Sequence, residues 1–339
     1  MNRGEPKLRL QASPLLRQQL TTRQAMLDVL LALMPATLAG IWFFGISALL
    51  VLSASILGAV VTEWLFSPAG YRGSRLNDYS ALLTGLLLGL TLPPALPMWM
   101  AFLGGAVSIG LGKLIWGGLG QNLFNPALVG RAFLLATFPI AMTTWSAQSA
   151  PGEFFRIGSS TLAMPFMQPG YDGVTAATPL GLMKFERVST DLWLLASGNS
   201  TGCIGETSGL LLILGAVYLL IRRDLDWRIP TGILVSVALF SALLLLSDPE
   251  RYPGPLFSIF SGGLLLGALY MATDPVTSPL TPTGTWIFAV GIGLLIVLIR
   301  VFGGFPEGVM YAILLMNSAT PLIDRYTQPR VFGKGGSSR

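Results

Sequence analysis

Two polar clusters interrupt an otherwise apolar chain. In Gly120-Gln-Asn-Leu-Phe-Asn-Pro126, Asn122 and Asn125 offer amide donors and acceptors suited to the edge of a heterocycle or to a carbonyl-lined ion site. The same residues also read as a turn, with Asn at a helix cap and Pro126 in the first helical position. In Asp172-Gly-Val-Thr-Ala-Ala-Thr-Pro-Leu180, Thr175 and Thr178 are hydroxyls beside small residues, with room for a bulky modification or an approaching enzyme. Composition alone would make this second cluster a turn, with Asp172-Gly173 reversing the chain and Thr178 held extended before a proline.

Asp28, Glu63, Asp78, Lys113, Arg131, Glu206, Asp274 and Glu307 fall inside or at the ends of apolar segments. An ionisable group at membrane depth costs about 2.5–3.5 kcal/mol and is a functional candidate for that reason. Close to an interface the same groups snorkel or cap helices. The ion-path candidates are Glu206, Asp274 and Asp78. Glu206 stands out because Gly202, Gly205 and Gly209 leave space around its carboxylate. No catalytic residue and no metal site is expected. Without histidine and with Cys203 alone, the chain cannot build a His-ligated haem or zinc site, a Cys-ligated iron–sulfur cluster or an internal disulfide. Redox work would need an organic cofactor, and an ion path would need carboxylates, hydroxyls, carbonyls or water.

The elements that must position these groups are helices in a membrane. Of 339 residues, 52% are hydrophobic and 11% charged, against about 25% charged in a soluble domain. Mean hydropathy is +0.66. Apolar runs between breakers predict an all-α polytopic membrane protein with ten spans, near 26–44, 46–66, 79–93, 97–115, 127–143, 206–221, 229–247, 256–272, 284–301 and 307–323. The polar first 25 residues carry five basic side chains and no apolar core, so they read as an uncleaved cytoplasmic lead-in. With that end inside, Arg3, Lys7, Arg9, Arg17, Arg23, Arg72, Arg75, Lys113, Arg131, Arg222, Arg223, Arg228, Arg325, Arg330, Lys334 and Arg339 gather on the cytoplasmic side. Only Arg156, Lys184, Arg187, Arg251 and Arg300 remain opposite. A net charge of +5 therefore reports orientation, and no nucleic-acid partner is expected.

The division that follows is a cytoplasmic segment 1–25, a five-helix half 26–143, a long extracytoplasmic loop 144–205, a second half 206–323 and a cytoplasmic tail 324–339. Five is odd, so the halves would run in opposite directions, as in inverted-repeat transporters. Gly85-Leu-Leu-Leu-Gly89 and Gly263-Leu-Leu-Leu-Gly267 occupy corresponding third spans. Short, glycine-bearing segments of this kind point to broken helices around a central site, although small residues also serve close helix packing.

At these clusters the sequence resembles the NqrB/RnfD family of flavin-bearing membrane proteins, which serve Rnf (Rsx) electron transport complexes and the related sodium-pumping NADH:quinone oxidoreductase. The match is to the Rnf side of that family and covers essentially the whole chain. Its landmarks are Ser74–Gly85, Asn125–Phe133, Asp172–Leu180, Gly205–Ser208, Met271–Pro279 and Arg300–Gly308. It implies a protein passing electrons through flavin in a complex that couples ferredoxin and NAD redox chemistry to Na⁺ or H⁺ translocation. In the family a flavin transferase links FMN through its phosphate to the last threonine of an Asp-Gly-x-Ser-Gly-Ala-Thr motif, which falls here on Thr178. Asp172, Gly173 and Ala177 also match, while Thr175 and Ala176 depart from Ser and Gly. In the sodium-pumping relative, riboflavin binds near an Asn-Pro-Phe-Asn-Pro motif. Its asparagines match Asn122 and Asn125, with Leu123 in place of the intervening proline.

The resemblance also implies iron–sulfur and flavin subunits as partners, a lipid bilayer around the chain and a bacterial inner membrane. Both termini would be cytoplasmic and the flavin loop periplasmic, the side on which the transferase works. The rival expectation is a non-redox channel or secondary carrier of small solutes with the same inverted-repeat architecture, and a third is a purely structural anchor.

Overall fold

The computed structural model describes residues 21–68, 76–146, 148, 154–155, 157–158, 160–165, 177–198, 200–249 and 251–328. All regular structure among them is helical. Helix α1 (Thr22–Phe44) starts at a capping box, with Thr21 Oγ1 accepting from Gln24 N and Gln24 Oε1 accepting from Thr21 N. Gly45, at φ 67°, then turns the chain into α2 (Ile46–Phe66). Next come α3 (Ser80–Leu90), α4 (Met98–Ile109, extended by a π-helical turn Gly110–Leu114) and α5 (Pro126–Thr137). A second series runs α6 (Gly209–Arg222), α7 (Arg228–Ser247), α8 (Pro255–Phe260), α9 (Leu264–Leu266, extended by a π-helical turn Gly267–Met271), α10 (Pro282–Phe302) and α11 (Val309–Thr327).

Helices α1, α2, α7 and α10 are each long and apolar enough to cross a membrane, and α3, α4 with its extension, α5 and α6 are shorter apolar helices. Leu31, Trp42, Leu246 and Phe302 point outward, more than half exposed. So much outward apolar surface on helices of spanning length makes this a multi-pass membrane protein.

Glycines set the helix contacts, because they let backbones approach closely. A Cβ on Gly85 would lie 2.6 Å from Ile56 Cα, and one on Gly105 would lie 2.2 Å from Ser55 O. These contacts seat α3 and α4 on α2. In the second series Gly232 meets Ala289 and Gly293 meets Ser236, seating α7 on α10, while Gly215 brings α6 against Ala32 of α1. Gly85 and Gly89 both face α2. They pack the helices together.

The third apolar segment of each series is broken. Helix α3 has 11 residues, about 16 Å at 1.5 Å per residue, roughly half of a hydrocarbon core. It starts after Tyr79, at φ 60°, and α9 starts after Gly262, at φ 65°. Their inner ends meet around Gly205, whose Cβ would fall 2.9 Å from Leu90 Cβ and 3.2 Å from Leu266 Cδ2. Ile204 N donates to Leu92 O across the same junction.

Two residues counted by sequence as cytoplasmic charges are buried in the bundle. Lys113 and Glu63 form an ion pair with side chains 3% and 1% exposed, and Arg131 pairs with Glu307. A cation held by a carboxylate in the interior reports a tertiary contact and says nothing of orientation. Removing both from the cytoplasmic group still leaves it the larger.

Candidate functional site

Thr178 caps a short helical turn, Pro179–Gly181, that continues as a π-helical turn, Leu182–Glu186. Pro179 sets the first helical φ, and Thr178 Oγ1 accepts a hydrogen bond from Gly181 N at 3.1 Å. The oxygen donates to no described residue, so its proton can be replaced while that bond stays. A Cβ on Gly181 would lie 3.2 Å from Thr178 Oγ1. Thr178 is buried, 7% exposed, and a larger residue in place of Gly181 would press on its hydroxyl.

Lys184 ties this segment to the end of α10 by donating to the carbonyls of Arg300, Gly303 and Phe305. Burial holds its ammonium below the usual lysine range. Thr201 Oγ1 steadies the other flank by donating to Ala177 O at 2.6 Å.

Thr178, Ala177 and Gly181 border a cavity of roughly 480 Å³, within the range of about 300–1,000 Å³ usual for ligand pockets. Arg131 and Glu307 form part of its wall. Arg131 projects from α5, donates to Glu307 and lies 3.7 Å from Cys203 Sγ. Cys203 N donates to Glu206 Oε2, and the Cys203, Glu206 and Glu307 ligand atoms all lie within 4.8 Å of one another. The guanidinium supplies the positive charge that this acidic group requires. Glu206 Oε1 is buried without a partner among the described residues.

A second cavity, roughly 100 Å³, is bordered by Asn122, Asn125, Asp274, Lys113 and Tyr270. Asn125 is committed to structure. Its Oδ1 caps α5 by accepting from Ala127 N at 3.0 Å and Leu128 N at 3.4 Å, and its Nδ2 donates to Met271 O at 3.1 Å. Asn122 Nδ2 donates to Phe124 O, leaving its buried Oδ1 open. Asp274 closes an Asx turn by accepting from Val276 N. Asp78 lies elsewhere, accepting from Ser80 N and Ser80 Oγ, and Ser80 Oγ accepts in turn from Lys113 at 2.6 Å.

The expected site residues therefore divide among three places. Thr178 and Ala177 sit at the large cavity, with Glu206 behind it. Asn122, Asn125 and Asp274 share the small cavity, and Asp78 closes an Asx turn onto Ser80 ahead of α3. Asp172 and Gly173 lie outside the described residues. Sequence reasoning passed over Arg131 and Glu307 as a pair. The available signal was an arginine six residues after the Asn125 cap, inside an apolar helix where snorkelling is hardest.

The model of the NQR2, RnfD, RnfE family matches residues 9–333. The chain belongs to this family. It is 42% identical over 334 residues to the D component of the proton-translocating ferredoxin:NAD(+) oxidoreductase complex of Clostridium ljungdahlii, covering 96% of each chain. To the D component of the ion-translocating oxidoreductase complex of Stutzerimonas stutzeri it is 43% identical over 334 residues, 93% of each. To the D component of the Na(+)-translocating ferredoxin:NAD(+) oxidoreductase complex of Acetobacterium woodii it is 40% identical over 335 residues, 97% of this chain and 96% of that one. Relatives of similar identity are thus named for different ions, so overall likeness does not decide the coupling ion.

Proposed function

We propose that this family member is a membrane subunit of an ion-translocating ferredoxin:NAD oxidoreductase complex, an oxidoreductase and translocase, bearing FMN as a phosphoester on Thr178. Its partners would be the iron–sulfur and flavin subunits of that complex, with a flavin transferase to load the cofactor. The observation that carries the reading is Thr178 itself. Its side chain borders a cavity of ligand size, and its hydroxyl accepts from Gly181 N while donating to no described residue.

FMN, when bound, would supply one- and two-electron redox chemistry. Thr178 would fix its position, the Lys184 anchor would hold the attachment segment against α10, and Arg131 would place positive charge at the cavity wall. The open acceptor of Asn122 suits a riboflavin edge, but Asn125 is committed and the small cavity is below the usual ligand range. Riboflavin is therefore given no part in the mechanism. Glu206 and Asp274 remain ion-path proposals, whereas Asp78 is better explained by its turn onto Ser80.

Ten spans in two inverted five-helix halves, 26–143 and 206–323, complete the proposal, with 1–25 and 324–339 cytoplasmic and 144–205 periplasmic in an inner membrane. Equivalent packing supports it. The second helix of each half, α2 or α7, lies along the fourth, α4 or α10, and the fifth packs on the fourth in both. A left-handed residue marks each third segment, Tyr79 before α3 and Gly262 at the break between α8 and α9, and a cation near the end of each fourth helix, Lys113 or Arg300, closes beside it.

The test is in-gel flavin fluorescence of the denatured protein coexpressed with a flavin transferase. Wild type and Thr178→Ser should fluoresce and Thr178→Val should be dark. A dark wild-type band would instead favour the non-redox carrier.

A further inference from the structure

Sequence leaves five basic residues away from the cytoplasmic group, and three of them, Lys184, Arg251 and Arg300, border one cavity of roughly 300 Å³. It opens between the Ser247 end of α7 and the Phe302 end of α10. No carboxylate borders it, and none of the three cations joins an ion pair with a described residue. Arg300 donates to Ser258 O at 2.6 Å and Ser261 O at 2.9 Å, while its buried Nε has no described partner. Lys184 is held by carbonyls alone. Arg251 is exposed, its guanidinium 5.5 Å from the ring centroid of Tyr252. Cationic groups gathered at the edge of a membrane protein, in a cavity bordered by no carboxylate among the described residues, suit an anion.

What anion is indicated by the walls. Leu244, Val297 and Val301 also border an adjoining hollow of roughly 130 Å³, which continues along α7 and α10 between Leu243 and Leu298. Those two leucines face outward, 59% and 42% exposed. A cationic cavity thus adjoins an apolar groove on the membrane face. We propose that the two cavities together bind an anionic phospholipid, its phosphodiester against Arg251 and Arg300 and an acyl chain in the groove between α7 and α10. A zwitterionic lipid would bring its own cation toward three others, and a free anion would leave the groove unused. Leu180, Met183, Lys184 and Phe185 border the headgroup side, so the bound lipid braces the segment that follows Thr178.

The experiment uses the full chain, purified in detergent, stripped of lipid and titrated with phosphatidylglycerol or with phosphatidylcholine of the same acyl chains. Native mass spectrometry reads the bound lipid, and flavin plays no part in the readout. Phosphatidylglycerol should bind more tightly than phosphatidylcholine, and Arg251→Gln should weaken it about fivefold, the loss expected for one basic residue near an anionic headgroup. Arg187→Gln, outside the cavity, should leave binding unchanged, and Leu298→Trp, filling the groove, should weaken it. Arg251 carries the test because Arg300 also secures two carbonyls. Equal affinity for the two lipids, or an unchanged Arg251→Gln, would overturn the proposal. Complete displacement by inorganic phosphate would also overturn it, by assigning a free anion instead.

Discussion

Replacing Asn125 by alanine separates a structural asparagine from a ligand-binding one. The amide performs two tasks, capping α5 through Oδ1 and reaching Met271 O, 146 residues away, through Nδ2. Losing an Asn cap costs about 1 kcal/mol. Stranding the carbonyl of Met271, a residue 2% exposed, adds about 1–3 kcal/mol. The sum is about 2–4 kcal/mol, which at about 2 °C per kcal/mol for a chain of this size lowers the melting temperature by about 4–8 °C. Asn125→Ser keeps a capping oxygen but cannot span to Met271, so it should fall between alanine and wild type. Thermal unfolding of the detergent-solubilised chain measures all three, with Asn122→Ala as the comparison expected to stay close to wild type. If Asn125→Ala melted within about 1 °C of wild type, the assignment of this side chain to structure would be wrong.

Other outcomes follow from the same contacts. Arg131→Met strands Glu307 beside Glu206 and should destabilise by about 3–5 kcal/mol, while Arg131→Met with Glu307→Met should recover much of the loss; a double-mutant cycle on melting temperatures checks this. Gly85→Ala forces a Cβ to 2.6 Å from Ile56 Cα and should lower expression and melting temperature, whereas Gly110→Ala meets nothing within 4 Å and should be neutral or stabilising. Asp224, between α6 and α7, has its carboxyl pushed above the usual range by burial and by its hydrogen bond with Asp28. A raised folded-state value means that stability falls as pH rises from the unfolded value, near 3.8, through the folded one. Asp224→Asn should therefore melt higher than wild type at neutral pH, and melting curves taken toward pH 4 should show that advantage disappear.

The helices were legible in the sequence because hydropathy and breakers act locally. The apolar runs are helical, though those near 127–143 and 256–272 are each split, Asn125 and Pro126 start α5 as the cap reading required, and the glycine-bearing third segments are short. Residue identity alone offered Thr175 and Thr178 alike, and only the family resemblance singled out Thr178. Sequence could not decide which ionisable groups meet. Arg131 and Glu307 are 176 residues apart, and Lys184 and Arg300 are 116 apart, so their contacts exist only once the two series of helices pack. Lys113 and Arg131, counted by position as cytoplasmic charges, are ion-paired within the bundle: position along the chain gives a charge's neighbours in sequence, while its partner is fixed by the helix that lies across from it. The two functions of Asn125 divide in the same way. Its cap is a local matter of three residues, and its bond to Met271 depends on α5 meeting the end of α9, which packing alone brings about.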